Sequence, residues 1–388
     1  MRINNFMISN ILSKDITQRL NAITTAALFF IGMIVAPVGI VSATSLPAGT
    51  TGVKWNPGHY YTIQNWANDD PIYMAKVYKE LQETPALRGM QLRYLWGWLE
   101  KSPGVYDFSS IDKHLAKLTK MNKRLVIQVQ TKSFDAKWKL IPDYLKAPQY
   151  EGGAFAYSNW GSNSSLDGHN IKLWNPQVRD RLIALYKALG KRYNSHPNFE
   201  GIGMIETAMG QAIKPLTTTQ ADKWFDNLII VHQKMRTFFP NTMTIQEINY
   251  PRDYLKQLTT AMVKMGGALG CPDVFPDEPD LLFPGDKYSP PGAYPYFSKL
   301  SGTIPIAPTV EKVNYLNSAG KNKGPAPTVL ELLVFARDEL KSNYIFWQRV
   351  PEYVDNVLEV MNFTNQKSTP SGGLKAACPT AYPSCIKN

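Results

Sequence analysis

The sequence predicts an α/β fold: a single (β/α)8 barrel with long loops after its third, fourth and sixth strands. Three observations predict it. After residue 50, short runs rich in β-branched and aromatic residues alternate about eight times with stretches of helical periodicity. No glycine-rich phosphate turn follows the first run, which argues against an open, doubly wound sheet. The three longest connections all follow strands, and so fall at the strand C-terminal end, where such barrels carry their sites.

The first predicted strand covers 53–62, Val-Lys-Trp-Asn-Pro-Gly-His-Tyr-Tyr-Thr, and the second 89–96, where Leu92, Arg93 and Trp96 close an apolar run. The third, 124–130, is Arg-Leu-Val-Ile-Gln-Val-Gln; the fourth, 200–206, ends in Met-Ile-Glu; the fifth is 242–248. The sixth, 266–271, is weak because it is rich in glycine. The seventh, 303–310, contains Pro305 and Pro308, which suit an irregular strand. The eighth is 343–348. Between them, Ile111, Leu115 and Leu118 repeat at i, i+4, i+7. Val178, Leu182 and Leu185 do the same behind Asn175-Pro176, a cap followed by proline at the first helical position. The stretches 72–83, 219–239, 252–264 and 327–341 also read as helices. The long connections are 131–174, 207–218 and 272–302. Trp138, Tyr144, Tyr150, Trp160, Tyr288, Tyr294 and Tyr296 either wall a cleft or pack the loops themselves.

Composition is that of a globular chain: 388 residues, 44% hydrophobic and 19% charged. Arg2, Lys14 and Arg19 precede an apolar run at 26–41 that ends in Val41-Ser42-Ala43, the pattern of a secretory signal peptide over 1–43. The product would be secreted or periplasmic; the alternative is an uncleaved N-terminal anchor. The expected organisation is a leader, a barrel over 44–365 and a tail over 366–388. Net charge is +11, and removing three basic residues and one acidic residue with the leader leaves +9. That excess either serves solubility or favours an anionic polysaccharide. No zinc-finger spacing, Walker loop or block of like charges points to nucleic acid, and no second long apolar run points to a membrane. The five histidines lack metal-ligand spacing, so neither metal nor cofactor is expected. In an exported chain Cys378 and Cys385 are placed to close a short disulfide loop, leaving Cys271 as a free thiol.

Residues at strand C-termini converge on one mouth. Reading off those ends gives His59, Tyr60, Arg93, Trp96, Gln128, Gln130, Glu206, Glu247, Asn249, Asp273, Glu311, Trp347 and Gln348. Carboxyls facing aromatics and amides are what sugar cleavage needs. One carboxylic acid protonates the leaving oxygen, and a carboxylate attacks the anomeric carbon or activates water. Glu206 and Glu311 each either sit in the mouth or cap the segment that follows. Glu247 belongs to the site only if it faces the barrel interior. A mouth arginine such as Arg93 serves a carboxylate.

The stretch 88–112 runs from a strand ending in Arg93, through Trp96 and Glu100-x-x-x-Gly104-x-Tyr106-Asp107-Phe108, to Asp112 opening a helix. It resembles clan A of the glycoside hydrolases, the retaining barrel enzymes that include the β-galactosidase-like and cellulase-like families. Looser resemblance extends over about 53–362. It implies a glycosidase with Glu206 as acid/base at the end of the fourth strand and Glu311 as nucleophile at the end of the seventh. It further implies that Arg93 supports Glu311 and that Trp347 lines a sugar subsite. Such enzymes have Asn directly before the acid/base to hold the sugar 2-hydroxyl; here that position is Ile205. His59, Trp96, Gln128, Gln130, Glu247 and Asn249 complete the expected substrate contacts. Burial among apolar residues is expected to keep a proton on Glu206. A transglycosylase using the same glutamates, a non-catalytic carbohydrate-binding barrel and a barrel of unrelated chemistry are the rival readings.

Overall fold

The computed structural model describes residues 51–159, 166–318, 324–369 and 371–387. The expected leader and Trp160 lie outside the described residues.

Eight parallel strands make the central sheet: β1 (Gly58–Ile63), β2 (Leu87–Leu95), β3 (Arg124–Gln130), β4 (Phe199–Met204), β5 (Met243–Glu247), β6 (Ala268–Gly270), β7 (Thr309–Val310) and β8 (Tyr344–Gln348). Their order is β6-β5-β4-β3-β2-β1-β8-β7. A parallel bridge between Leu269 and Ile306 joins the two edges, so the sheet closes on itself. Each strand is followed by a helix: α1 (Pro71–Glu83), α2 (Ser109–Lys120), α3 (Pro176–Tyr193), α4 (Thr218–Phe238), α5 (Arg252–Met265), α6 (Tyr294–Leu300), α7 (Val329–Val334) and α8 (Val354–Met361). This is a (β/α)8 barrel.

Local chemistry sets the helix starts. Asp70 and Asn175 each accept two backbone N–H bonds in the first turns of α1 and α3, both with proline at the first position. Thr217 and Gln220 form a reciprocal capping box on α4.

Two strands differ from the sequence reading. The first run divides at Asn56-Pro57: Val53 and Lys54 pair with Cys385 and Ile386, and only Gly58–Ile63 enters the barrel. Pro57 has no N–H to give a ladder, and Gly58 turns the chain at φ 144°. The seventh strand is shorter than expected, because Pro305 and Pro308 can only accept. Even so, extended chain across 305–309 bonds on both sides: Leu269 N–H donates to Pro305 O (3.0 Å), Thr309 N–H to Cys271 O (2.7 Å) and Phe346 N–H to Pro308 O (3.0 Å).

Side chains alternate between two cores. Tyr60, Val126, Met243, Ile245, Ala307 and Phe346 fill the barrel, with Trp55 and Tyr382 packed beneath them as a floor. Tyr61, Leu92, Ile127, Ile202, Ile248 and Trp347 face the helices. The tail is part of this floor. Cys378 and Cys385 are joined by a disulfide, and Trp55 donates its indole N–H to Ala376 O at 2.9 Å.

The long loops carry structure of their own. Ala154–Ser158 pairs antiparallel with Gly168–Ile171 and with Gln211–Ala212, so the connections after β3 and β4 form one three-stranded sheet. Phe155 and Tyr157 are buried while Ala154, Ala156 and Ser158 are half-buried, a period of two that carried a strand signal. Of the loop aromatics, Tyr294 is buried and Trp138, Tyr144 and Tyr150 pack against the core, whereas Tyr288 is 84% exposed.

Candidate active site

Alternation decides which predicted side chains reach the mouth. On β2, Arg93 lies on the inward face, because Met90, Leu92 and Tyr94 pack outward. On β3, Val126 is inside the barrel, so Gln128 and Gln130 share that face. On β5, Met243 and Ile245 are inside, and Glu247 continues their row. This answers the question the sequence left open: Glu247 points into the barrel.

Glu311 follows β7 and opens a short helix, Lys312–Leu316, with its own N–H bonded to the Asn314 side chain at 2.6 Å. Its Oε1 is ion-paired with Arg93 Nη2, and Gln64 Nε2 donates to its Oε2 at 3.2 Å. Glu206 stands two residues beyond β4. Lys132 Nζ donates to its Oε1 at 2.6 Å, and Asn249 Nδ2 to its Oε2 at 2.6 Å. Lys132 is otherwise held by Ala208 O at 2.8 Å and by the Phe134 and Tyr157 rings. The expected apolar pocket around Glu206 is therefore absent; an ammonium and an amide take its place.

Two further carboxyls complete the mouth. Glu247, 2% exposed, accepts from the Thr309 hydroxyl at 2.9 Å. Burial pushes its carboxyl up to about 7, against the pull of Arg93 and with the push of Glu311. Asp273, after β6, shares Asn249 Nδ2 with Glu206, at 3.1 Å to its Oδ2. Burial, then the charge of Glu206, pushes Asp273 up to about 7. Tyr294 anchors the Asp273 backbone by donating to its carbonyl at 3.1 Å. Four buried polar atoms of this region have no hydrogen-bond partner: Arg93 Nε, Gln128 Oε1, Gln130 Oε1 and Glu247 Oε2. A polar ligand is what such atoms lack.

Three expected contacts are corrected. His59 is fully buried on the outward face of β1, with Nε2 donating to Gly372 O (2.8 Å) and Nδ1 accepting from Trp347 (3.2 Å). Burial holds the ring down at about 4, so it stays neutral and structural. Trp347 is fully buried on the outward face of β8, and inward Gln348 takes the mouth position, accepting from Lys312 N–H. Trp96 is fully buried with its indole N–H on Glu100 at 2.9 Å. Glu100 also takes Gly104 N–H and the Arg181 guanidinium, so the 88–112 motif is built around a buried carboxylate. Tyr60, inward, lies low in the barrel and bonds Asn56 O.

Gln64 and Lys132 escaped the sequence reading. Gln64 lies on the inward register of β1, two residues past Thr62, where the predicted strand had already ended. Lys132 lies on the inward register two residues past Gln130, but inside a stretch read as loop. Among the described residues no cluster of ligating side chains is placed to hold a metal ion, and no helix is long and apolar enough to cross a membrane.

The fold and this mouth are those of a (β/α)8 barrel with a carboxyl-rich C-terminal face. No protein-family model and no curated protein matches the sequence. Among solved structures, the chain is similar to the catalytic domain of β-amylase from Paenibacillus polymyxa, with TM-score 0.50 and 8% identity over 83% of this chain and 96% of that one. It is also similar to β-galactosidase from Bacillus circulans sp. alkalophilus, with TM-score 0.52 and 12% identity over 76% of this chain and 51% of that one. The likeness to both is one of fold.

Proposed function

We propose that the chain is a glycoside hydrolase that cleaves O-glycosidic bonds with retention of configuration. The observation that carries this reading is the Glu311 carboxylate, fixed by Arg93 and Gln64, across a mouth from a second carboxyl group at the end of β4. Arg93 favours the charged, nucleophilic form of a carboxylate beside it. Glu311 attacks the anomeric carbon and forms a glycosyl-enzyme. On the facing side, Glu206 and Asp273 share one amide, and one of the two protonates the leaving oxygen and later takes a proton from water. Gln128 and Gln130 offer buried carbonyl oxygens to sugar hydroxyls, a contact that Ile205 cannot make.

Arg93 and Lys132, the cations of the mouth, are each already paired with a carboxyl and leave none for an anionic sugar, so the substrate we propose is a neutral oligo- or polysaccharide. Export is part of the proposal. The leader-like segment and the Cys378–Cys385 disulfide both suit an oxidising compartment.

The test is hydrolysis of a panel of neutral polysaccharides and aryl glycosides by the wild type and Glu311→Gln, with the anomer of the first product read by NMR. Retention, and loss of about a hundredfold or more in the variant, is the expected result. Saturable glycan binding without turnover would replace this reading with a carbohydrate-binding barrel.

A further inference from the structure

Glu206 is the cation-paired carboxyl of the mouth. Lys132 Nζ and Asn249 Nδ2 each donate to one of its oxygens, and an ammonium at this distance favours the charged form of a carboxyl. Asp273 differs. Its Oδ2 takes the weaker share of the same Asn249 amide, no cation pairs with it, and Oδ1 accepts no hydrogen bond among the described residues. Two carboxyls held on one amide nitrogen resist ionising together, and the proton falls to the member without the ammonium. The inward faces of β2, β3 and β5 carry the buried atoms that lack partners, Arg93 Nε, Gln128 Oε1 and Glu247 Oε2, where a polar ligand would bond.

We infer that Asp273, at the end of β6, delivers the proton to the leaving oxygen, with Glu206 as its ionised partner. The inference rests on the glycosidase reading above. In the first step the Asp273 O–H proton passes to the glycosidic oxygen as the C–O bond breaks and its electron pair stays on that oxygen. Glu311 bonds to the anomeric carbon. In the second step water bonds to that carbon, its proton goes to the Asp273 carboxylate, and the ester electron pair returns to Glu311. The groups facing Asp273 are Glu206 from β4, Glu247 from β5, Glu311 from β7, Cys271 on its own strand, and Tyr250 and Tyr294. The carboxylates among them favour the protonated acid that this role needs. Asn249, as the bridge, is a positioning residue.

The experiment compares Asp273→Asn and Glu206→Gln on glycosides with poor and with activated leaving groups. An acid matters only when the leaving group needs its proton. Asp273→Asn should lose about a hundredfold or more on alkyl glycosides. It should lose less than about tenfold on dinitrophenyl glycosides, and activity there shows that the variant folds. The basic limb of its pH profile should vanish. The same selective loss in Glu206→Gln, with Asp273→Asn like the wild type, would overturn the inference. A second readout needs no turnover: carboxyl carbon NMR of aspartate-labelled protein. A resonance that titrates near neutrality and is missing from Asp273→Asn supports the assignment; Asp273 ionised throughout above pH 5 overturns it. If no glycoside is cleaved by the wild type, the glycosidase reading fails while this titration still places the proton.

Discussion

Lys132 Nζ lies 2.6 Å from Glu206 Oε1, and the two side chains are only 3% and 11% exposed. An ion pair this buried is costly to break from one side, because the remaining charge has neither water nor partner. Lys132→Met should lower unfolding free energy by about 3–5 kcal/mol in urea titrations. Lys132→Met/Glu206→Gln, which leaves no orphaned charge, should recover most of that loss. Equal stability of the single and double variants would mean that Glu206 is not charged at this site.

Arg93 meets Glu311 with side chains 4% and 16% exposed. Arg93→Met should reduce kcat/KM for aryl glycosides by about a hundredfold, the scale of removing one fixed electrostatic contact. Arg93→Lys should restore part of it, since a lysine keeps the charge without the planar fork. Steady-state kinetics beside thermal melts separate this from loss of fold.

Glu247 carries a pH signature. Its carboxyl rises from an ordinary value of 4.5 to about 7 in the folded chain. As pH climbs through that window the unfolded chain releases the proton and the folded chain keeps it, so stability falls. Above about 7 both states are ionised and the fall stops. Asp273, raised from 3.8 to about 7, acts with the same sign. Urea titrations between pH 4.5 and 8 should show this decline in the wild type and a shallower one in Glu247→Gln. An unchanged slope in the variant would contradict the assignment.

Trp347 tests the corrected placement. Trp347→Phe should cost about 1–3 kcal/mol, because His59 Nδ1 loses its donor in a fully buried setting. KM should stay as it was. A raised KM with unchanged melting temperature would put Trp347 back in the sugar site.

The barrel was legible because eight apolar runs and their caps repeat along the chain, and Arg93, Glu206 and Glu311 were legible because each closes a run. Facing was harder to read. Trp347 and Gln348 are neighbours at the end of β8, and only the packing of Ile345 outward and Phe346 inward decides that the glutamine, not the tryptophan, enters the mouth. His59 fails for the same reason: its strand starts later than the run, at Gly58, and the tail that occupies its ring lies more than three hundred residues away in sequence. Lys132 keeps the inward register of β3 but lies in a stretch read as loop, and Asp273, named among the strand-end residues, takes its partners Asn249 and Tyr294 from other elements.

The seam between β6, β7 and β8 bears on how the barrel breathes. Two of the staves' positions there, Pro305 and Pro308, offer no amide hydrogen, so the stave that leads to Glu311 is tied by fewer bonds than any across β1, β2 and β3. Transient opening should begin at that stave, and amide exchange should be fastest in Ala307 and Thr309 among the buried strand residues. A sugar pinned between Glu311 and the opposite wall would act as a clasp across the seam, slowing exchange there while leaving the far side of the barrel untouched.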